Sequence, residues 1–143
     1  MIHGLDTGYL VAAELAEHAD HAAARQKMAG LLATADRFAI APQVVTEFIH
    51  VATDRRRLAQ PLDLSAAIQI AEQWWTSSEV VQVYPDAHTM SQLFNWLRAF
   101  SLGRKRLLDT LLAATYLQAG IHSLLTTNPA DFAIFGVFSC VTP

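Results

Sequence analysis

The sequence predicts an α/β domain built around a mainly parallel sheet of about five short strands. Short apolar or β-branched runs at 2–5, 37–41, 80–84, 121–126 and 137–141 alternate with longer segments of helical spacing. That alternation is the signature of strands joined by helical crossovers. The first and fourth runs also end on polar clusters, Asp6-Thr7 and Asn128 to Asp131. In open parallel sheets, ligands gather outside the carboxyl ends of the strands. No repeat, low-complexity segment or composition break divides the 143 residues, so one domain spans 1–143.

Each element has its own local reason. Ile2 to Leu5 is a short apolar strand, and the turn after Asp6 opens a helix from Tyr9 to about Glu17. His18 to His21 is a break, and the Ala-, Leu- and Lys-rich run from Ala22 to about Thr34 favours helix. The pair His18 and His21 lacks a surrounding carboxylate motif and reads as a solvated helix entrance rather than a metal site. Arg37 to Ala41 is the second strand, closed by Pro42, whose missing N–H costs nothing in the first turn of the next helix. That helix runs from Gln43 to about Asp54, with Val44, Phe48 and Val51 on one face.

A basic linker, Arg55 to Pro61, leads to a helix containing Ala67, Ile70, Ala71, Trp74 and Trp75, capped by Asp63 or Ser65. Val80 to Tyr84 is the third strand. The helix from Asp86 to about Phe100 places Met90, Leu93, Phe94 and Leu97 at core spacing, and packing in the core is expected for at least one of Trp74, Trp75 and Trp96. Leu107 to Tyr116 is apolar nearly all round and should be a central buried helix. Ile121 to Thr126 is the fourth strand, Phe135-Gly136 a turn, and Val137 to Val141 the last strand. Right-handed crossovers would place the polar ends of strands one and four on the same edge.

Composition narrows the function. At 52% hydrophobic and 16% charged residues, the chain has the makings of a well-filled core and not of a disordered segment. No apolar stretch approaches the roughly 20 residues of a membrane span, and Asp6 interrupts any secretory core, so a cytoplasmic location is expected. A lone Cys140 forms no intramolecular disulfide or cysteine metal cluster and reads as a small buried hydrophobe. The formal net charge of −3 excludes a generic polycation. Basic residues are nonetheless clustered, as Arg55-Arg56-Arg57 and Arg104-Lys105-Arg106, either solvated helix ends or a local binding surface.

Three acids stand out. Asp6 is a poor strand residue at a strand end. Glu47 lies one turn into its helix, where it either favours the helix dipole or points across the strand ends at Asp6. Asp109 sits in the first turn of the most apolar helix, where a carboxylate is costly unless it is paired, with Arg104 or Arg106, or bound to a metal. Converging carboxylates repel, and an all-oxygen set suits Mg²⁺ or Mn²⁺ rather than zinc. Such a site suits phosphodiester hydrolysis. The chain has no Gly-x-Gly-x-x-Gly, P-loop or Gly-x-Ser-x-Gly, which disfavours dinucleotide, nucleoside triphosphate and serine-hydrolase chemistry.

Asp6-Thr-Gly-Tyr-Leu-Val, Val-Thr-Glu47-Phe, Leu-Leu-Asp109-Thr-Leu-Leu-Ala-Ala and Leu-Leu-Thr-Thr-Asn128-Pro-Ala-Asp131-Phe resemble the ordered motifs of PIN domains. The likeness covers essentially the whole chain and is strongest to the VapC-type ribonuclease toxins of toxin–antitoxin pairs. It implies a three-layer α/β/α sandwich and a Mg²⁺-dependent endoribonuclease in which Mn²⁺ substitutes. It also implies a homodimer and a cognate antitoxin whose C-terminal segment blocks the acids. By resemblance, Asp6 and Asp109 are the principal metal ligands, and Glu47 completes the trio through a ligand water or the attacking water. Thr7 bonds a ligand carboxylate or a metal-bound water. Asn128 stands where many PIN domains carry an aspartate. It brings no charge, so one tightly held ion is expected, with Asp131 supplying charge or capping the turn before Phe132. Arg104, Lys105 and Arg106 precede Asp109 and are the expected RNA phosphate contacts. The alternative is a catalytically weak or inactive PIN-like module that binds RNA or a protein partner.

Overall fold

Five short strands, β1 (Ile2–Leu5), β2 (Arg37–Ile40), β3 (Val80–Gln82), β4 (Ser123–Leu125) and β5 (Ser139–Val141), hydrogen-bond side by side in the order β3-β2-β1-β4-β5. All four pairings are parallel, with His3 in register with both Phe38 and Ser123. These assignments come from a computed structural model that describes residues 1–143. Seven helices connect the strands: α1 (Thr7–Glu14), α2 (His21–Ala33), α3 (Pro42–Ala52), α4 (Leu64–Thr76), α5 (Ala87–Ala99), α6 (Leu107–Gln118) and α7 (Ala130–Ala133).

The strand order explains the layering. From β1 the chain steps outward to β2 and β3, then crosses back over the sheet to β4 and β5. Right-handed crossovers in opposite directions put their helices on opposite faces. The contacts follow that division, with α1 against α2 and α3 and α3 against α4 in one layer, and α6 against α5 and α7 in the other. The predicted α/β/α sandwich is therefore the fold, and the reversal of direction falls between β1 and β4. At such a switch point the two flanking strand ends open a crevice.

Phe38, Phe48, Leu5, Leu10, Leu112, Leu124 and Tyr116 are among the fully buried side chains on the two faces of the sheet. At the amino end of the strands, a buried polar pair is satisfied within the protein. His3 Nδ1 lies 2.7 Å from Ser123 Oγ, and His3 Nε2 lies 3.1 Å from Asp36 Oδ2. Asp63 caps α4 through Ala66 N at 2.7 Å, and Asp86 and Thr89 close a reciprocal capping box on α5.

Several expectations need correction. On α5 only the stripe Thr89, Leu93 and Trp96 is buried, whereas Met90 and Phe94 are exposed and Leu97 is half-buried. The helix is amphipathic as its spacing indicates, but α6 covers just one side of its apolar arc. Helix α6 is deeply buried at Thr110 and from Leu112 to Tyr116, yet Leu107 and Leu108 in its first turn are exposed. Cys140 is half-buried rather than enclosed. Helix α1 starts at Thr7 and stops at Glu14, three residues short of the expected end. There Glu17 does a different job, its carboxylate accepting from Ala59 N and Gln60 N at 2.9 and 2.8 Å and so anchoring the basic linker. Trp96 is the core tryptophan, stacked on Phe135 with ring centroids 4.3 Å apart. Trp74 packs edge-on to Phe38 and donates Nε1–H to Glu14 at 2.7 Å.

Candidate functional site

Asp6 follows β1 directly, and its N–H donates to Leu125 O, continuing the ladder between β1 and β4 by one residue. It is the N-cap residue of α1, with extended backbone (φ −85°, ψ 149°), but its side chain makes no cap bond. The carboxylate turns instead to β4, where Thr126 donates its hydroxyl to Asp6 Oδ2 at 2.8 Å. Thr126 is fully buried, held there because its own N–H pairs with Val141 O at the end of β5. Both side chains sit at the switch point.

Glu47 reaches the same rim from α3. Thr7 donates its hydroxyl to Glu47 Oε2 at 3.2 Å, and Gln43 Nε2 lies 3.5 Å from Glu47 Oε1. The same Gln43 amide donates to Leu108 O at 3.0 Å, tying α3 to the first turn of α6. Asp109 stands in that turn. Of the two arginines considered as its partner, Arg106 takes the place, with Nε 3.7 Å from Asp109 Oδ2. Arg106 Nη1 is also 3.6 Å from Asp131 Oδ1, and Nη2 donates to the Asp131 carbonyl. Arg104 and Lys105 stay exposed.

Asn128 faces elsewhere. Its side-chain amide donates to Asp131 Oδ2 at 2.6 Å and its backbone N–H to Thr126 Oγ1 at 3.0 Å. Its side-chain bond therefore joins it to the Asp131 end of the cluster rather than to Asp6 or Glu47. Gly8 lets the loop after β4 close over α1, since a Cβ there would lie 2.8 Å from Thr127 Oγ1. The two largest cavities, about 480 and 430 Å³, open elsewhere, beside Ser123 and Ser139 and beside α2 and Pro143.

A family model for the PIN domain matches residues 5–135, which takes in every one of these acids. The chain belongs to the PIN domain family. Comparison with curated protein sequences gave no match. Among solved structures, this PIN domain is similar to the Mycobacterium tuberculosis VapC20, a Sarcin-Ricin loop cleaving toxin. The two share 23% identity over 100% of both chains, with a TM-score of 0.73. VapBC2 from Rickettsia felis, bound to a DNA fragment from its promoter, gives 19% identity, 100% and 99% coverage and a TM-score of 0.68. A toxin-antitoxin complex from Klebsiella pneumoniae gives 19% identity, 99% and 97% coverage and 0.59. At these identities the structures attest the fold.

The acids of the PIN domain are electrostatically strained. Burial pushes the Asp6 carboxyl up to about 6, the Thr126 hydroxyl resists this, and the charges of Asp109 and Glu47 add to it. Burial also raises Glu47, opposed by the Thr7 hydroxyl and assisted by Asp109. Asp109 is raised by burial and then by Asp131, while Arg106 pulls it back. The charge of Asp109 on α6 thus acts on both Asp6, just after β1, and Glu47 on α3, so the three form a candidate acidic centre. Within it, no three Asp, Glu, His or Cys side chains stand at the spacing of a shared metal ion. The donor set still fits a hard divalent cation, being all oxygen and short of positive charge.

Sequence reasoning missed Thr126 and Gln43. A hydroxyl at the carboxyl end of β4 was the available signal for Thr126, but its partner depends on β4 lying beside β1. Replacing Thr126 with Val keeps the shape and removes the donor that favours ionised Asp6. The pH profile of stability should then change, falling more steeply as pH rises through the folded Asp6 value. An unchanged profile would leave Thr126 a packing role only.

Proposed function

We propose that this PIN domain is a metal-dependent endoribonuclease hydrolysing RNA phosphodiester bonds, the toxin of a toxin–antitoxin pair. The observation that carries the reading is the recessed trio Asp6, Glu47 and Asp109 at the switch point, each acid raised chiefly by burial. Uncompensated charge of this kind is costly for stability and useful for catalysis. Asp6 and Asp109 would hold Mg²⁺, or Mn²⁺ in its place, and Glu47 would orient the attacking water. When bound, the ion supplies a water of lowered pKa and neutralises charge on the phosphate.

The chain's own residues do the rest. Thr126 and Thr7 hold the Asp6 and Glu47 carboxylates by donated hydroxyl bonds, and Gln43 fixes α3 against α6. The exposed Arg104 and Lys105, just before Asp109, suit phosphate contacts along an RNA strand. The similarity to a Sarcin-Ricin loop cleaving toxin and to a toxin-antitoxin complex supports the toxin assignment and a cognate antitoxin partner. The exposed apolar side chains Met90, Phe94, Leu107 and Leu108 on the α5–α6 hairpin support a homodimer.

One observation favours the second reading, a PIN-like module that binds RNA or protein without cutting. Asn128 adds no charge and its amide is spent on Asp131. The discriminating experiment incubates purified, antitoxin-free protein with a mixed RNA pool and Mg²⁺, Mn²⁺ or EDTA, with sedimentation of the same preparation reading its oligomeric state. Cutting with either ion, abolished by EDTA, is expected. RNA binding without cutting by the metal-supplied protein would move the assignment to the binding module.

A further inference from the structure

Arg106 is the cation closest to the acidic centre, and its contacts are unevenly satisfied. Its backbone carbonyl accepts from Thr110 Oγ1 at 2.6 Å, which fixes the arginine at the entrance to α6. Its guanidinium reaches in two directions, with Nη1 and Nη2 on Asp131 and Nε toward Asp109. The Nε–H is buried and has no hydrogen-bond partner, because the 3.7 Å to Asp109 Oδ2 is ion-pair distance but not hydrogen-bond distance. A buried donor left unmade is an unfavourable arrangement that a small movement of Asp109 would relieve. Asp109 therefore lies between two sets of charges. On one side is Arg106 and, through it, Asp131 on α7. On the other are Asp6 and Glu47, whose carboxyls its charge raises, with the trio short of metal spacing.

Building on the acidic-centre reading above, we propose that Arg106 is an internal counter-cation that holds Asp109 toward Asp131. For Asp109 to help Asp6 hold a divalent ion, its carboxylate would have to leave the guanidinium. Arg106 is thus a positioning residue that sets metal affinity, distinct from the outward-facing Arg104 and Lys105. The direction of its effect follows from charge: a fixed guanidinium beside the site opposes a second cation and competes for the same carboxylate oxygen.

The test is Mn²⁺ binding to the intact protein, read as free Mn²⁺ by electron paramagnetic resonance, for wild type, Arg106→Gln, Arg106→Lys and Asp109→Asn. Arg106→Gln should bind Mn²⁺ on the order of tenfold more tightly. Arg106→Lys, which keeps the charge but not the forked contacts, should fall between wild type and Arg106→Gln. In wild type, where folding of a variant is not at issue, the Arg106 Nε–H resonance should shift at the Mg²⁺ concentrations that fill the site. Unchanged or weaker binding by folded Arg106→Gln, with binding lost in Asp109→Asn, overturns this inference alone. An Nε–H signal that ignores bound Mg²⁺ does the same. If neither wild type nor Arg106→Gln binds Mn²⁺, both this inference and the acidic-centre reading fall.

Discussion

Asp6→Asn is expected to reduce the proposed metal-dependent RNA cleavage at least about a hundredfold while making the metal-free protein more stable near neutral pH. The two effects share a cause, the burial that lifts the Asp6 carboxyl from 3.8 to about 6. Below about pH 4 the group is protonated in both folded and unfolded chains, and its ionisation costs nothing. Between about 4 and 6 the unfolded chain releases the proton while the folded chain keeps it. Stability is therefore full below the unfolded value and declines as pH rises through the folded one. The total is on the order of 3 kcal/mol as an upper figure. Glu47 and Asp109 are raised too and act in the same direction.

The measurement is thermal denaturation of wild type and Asp6→Asn from pH 4 to 8, with EDTA and with Mg²⁺. The variant should match wild type at pH 4 and lead it increasingly up to pH 7, and Mg²⁺ should stabilise wild type alone. Parallel curves at every pH, or equal stabilisation of both proteins by Mg²⁺, would remove Asp6 from the acidic centre.

Gly4→Ala is expected to destabilise the domain by about 3 kcal/mol, although it adds a single methyl group. An added Cβ would lie 2.8 Å from two ring carbons of Tyr116 and 3.0 Å from a third. That ring cannot yield. It is fully buried, and its hydroxyl donates to Leu5 O at 2.6 Å and lies 3.0 Å from Ala39 O, bridging β1 and β2 just below Asp6. Tyr116→Phe removes only the hydroxyl bonds and should cost about 1–2 kcal/mol. It should not relieve Gly4→Ala, because the clash is with the ring. Gly4→Ala combined with Tyr116→Leu should cost clearly less than the sum of the two single changes. Strict additivity in urea unfolding would show that Gly4 and Tyr116 are not in contact.

Much of the site is written in local chemistry. Asp6 announces itself as an acid where an apolar strand should end, and Asp109 as a carboxylate inside an apolar helix. Asp63, Asp86, Pro42 and the strand runs likewise mark their elements by residue type, because caps, proline and β-branching act over a few neighbouring residues. The tertiary structure decided what depends on distant segments meeting. Periodicity showed that α5 and α6 carry apolar faces. Which stripe is covered was settled by how the hairpin lies on the sheet, and that arrangement exposes Met90, Phe94, Leu107 and Leu108. The choice of Arg106 over Arg104 depends on the single 3-10 turn Arg104–Arg106 before α6, which leaves Arg106 half-buried and Arg104 exposed. The hydroxyl on Asp6 comes from Thr126, 120 residues away, because the strand order sets β4 beside β1. By itself the sequence determined the alternating elements and the acids at their ends. Strand order decided the partners of those acids, since hydrogen bonds and charge interactions act through space, and no local pattern records that separation.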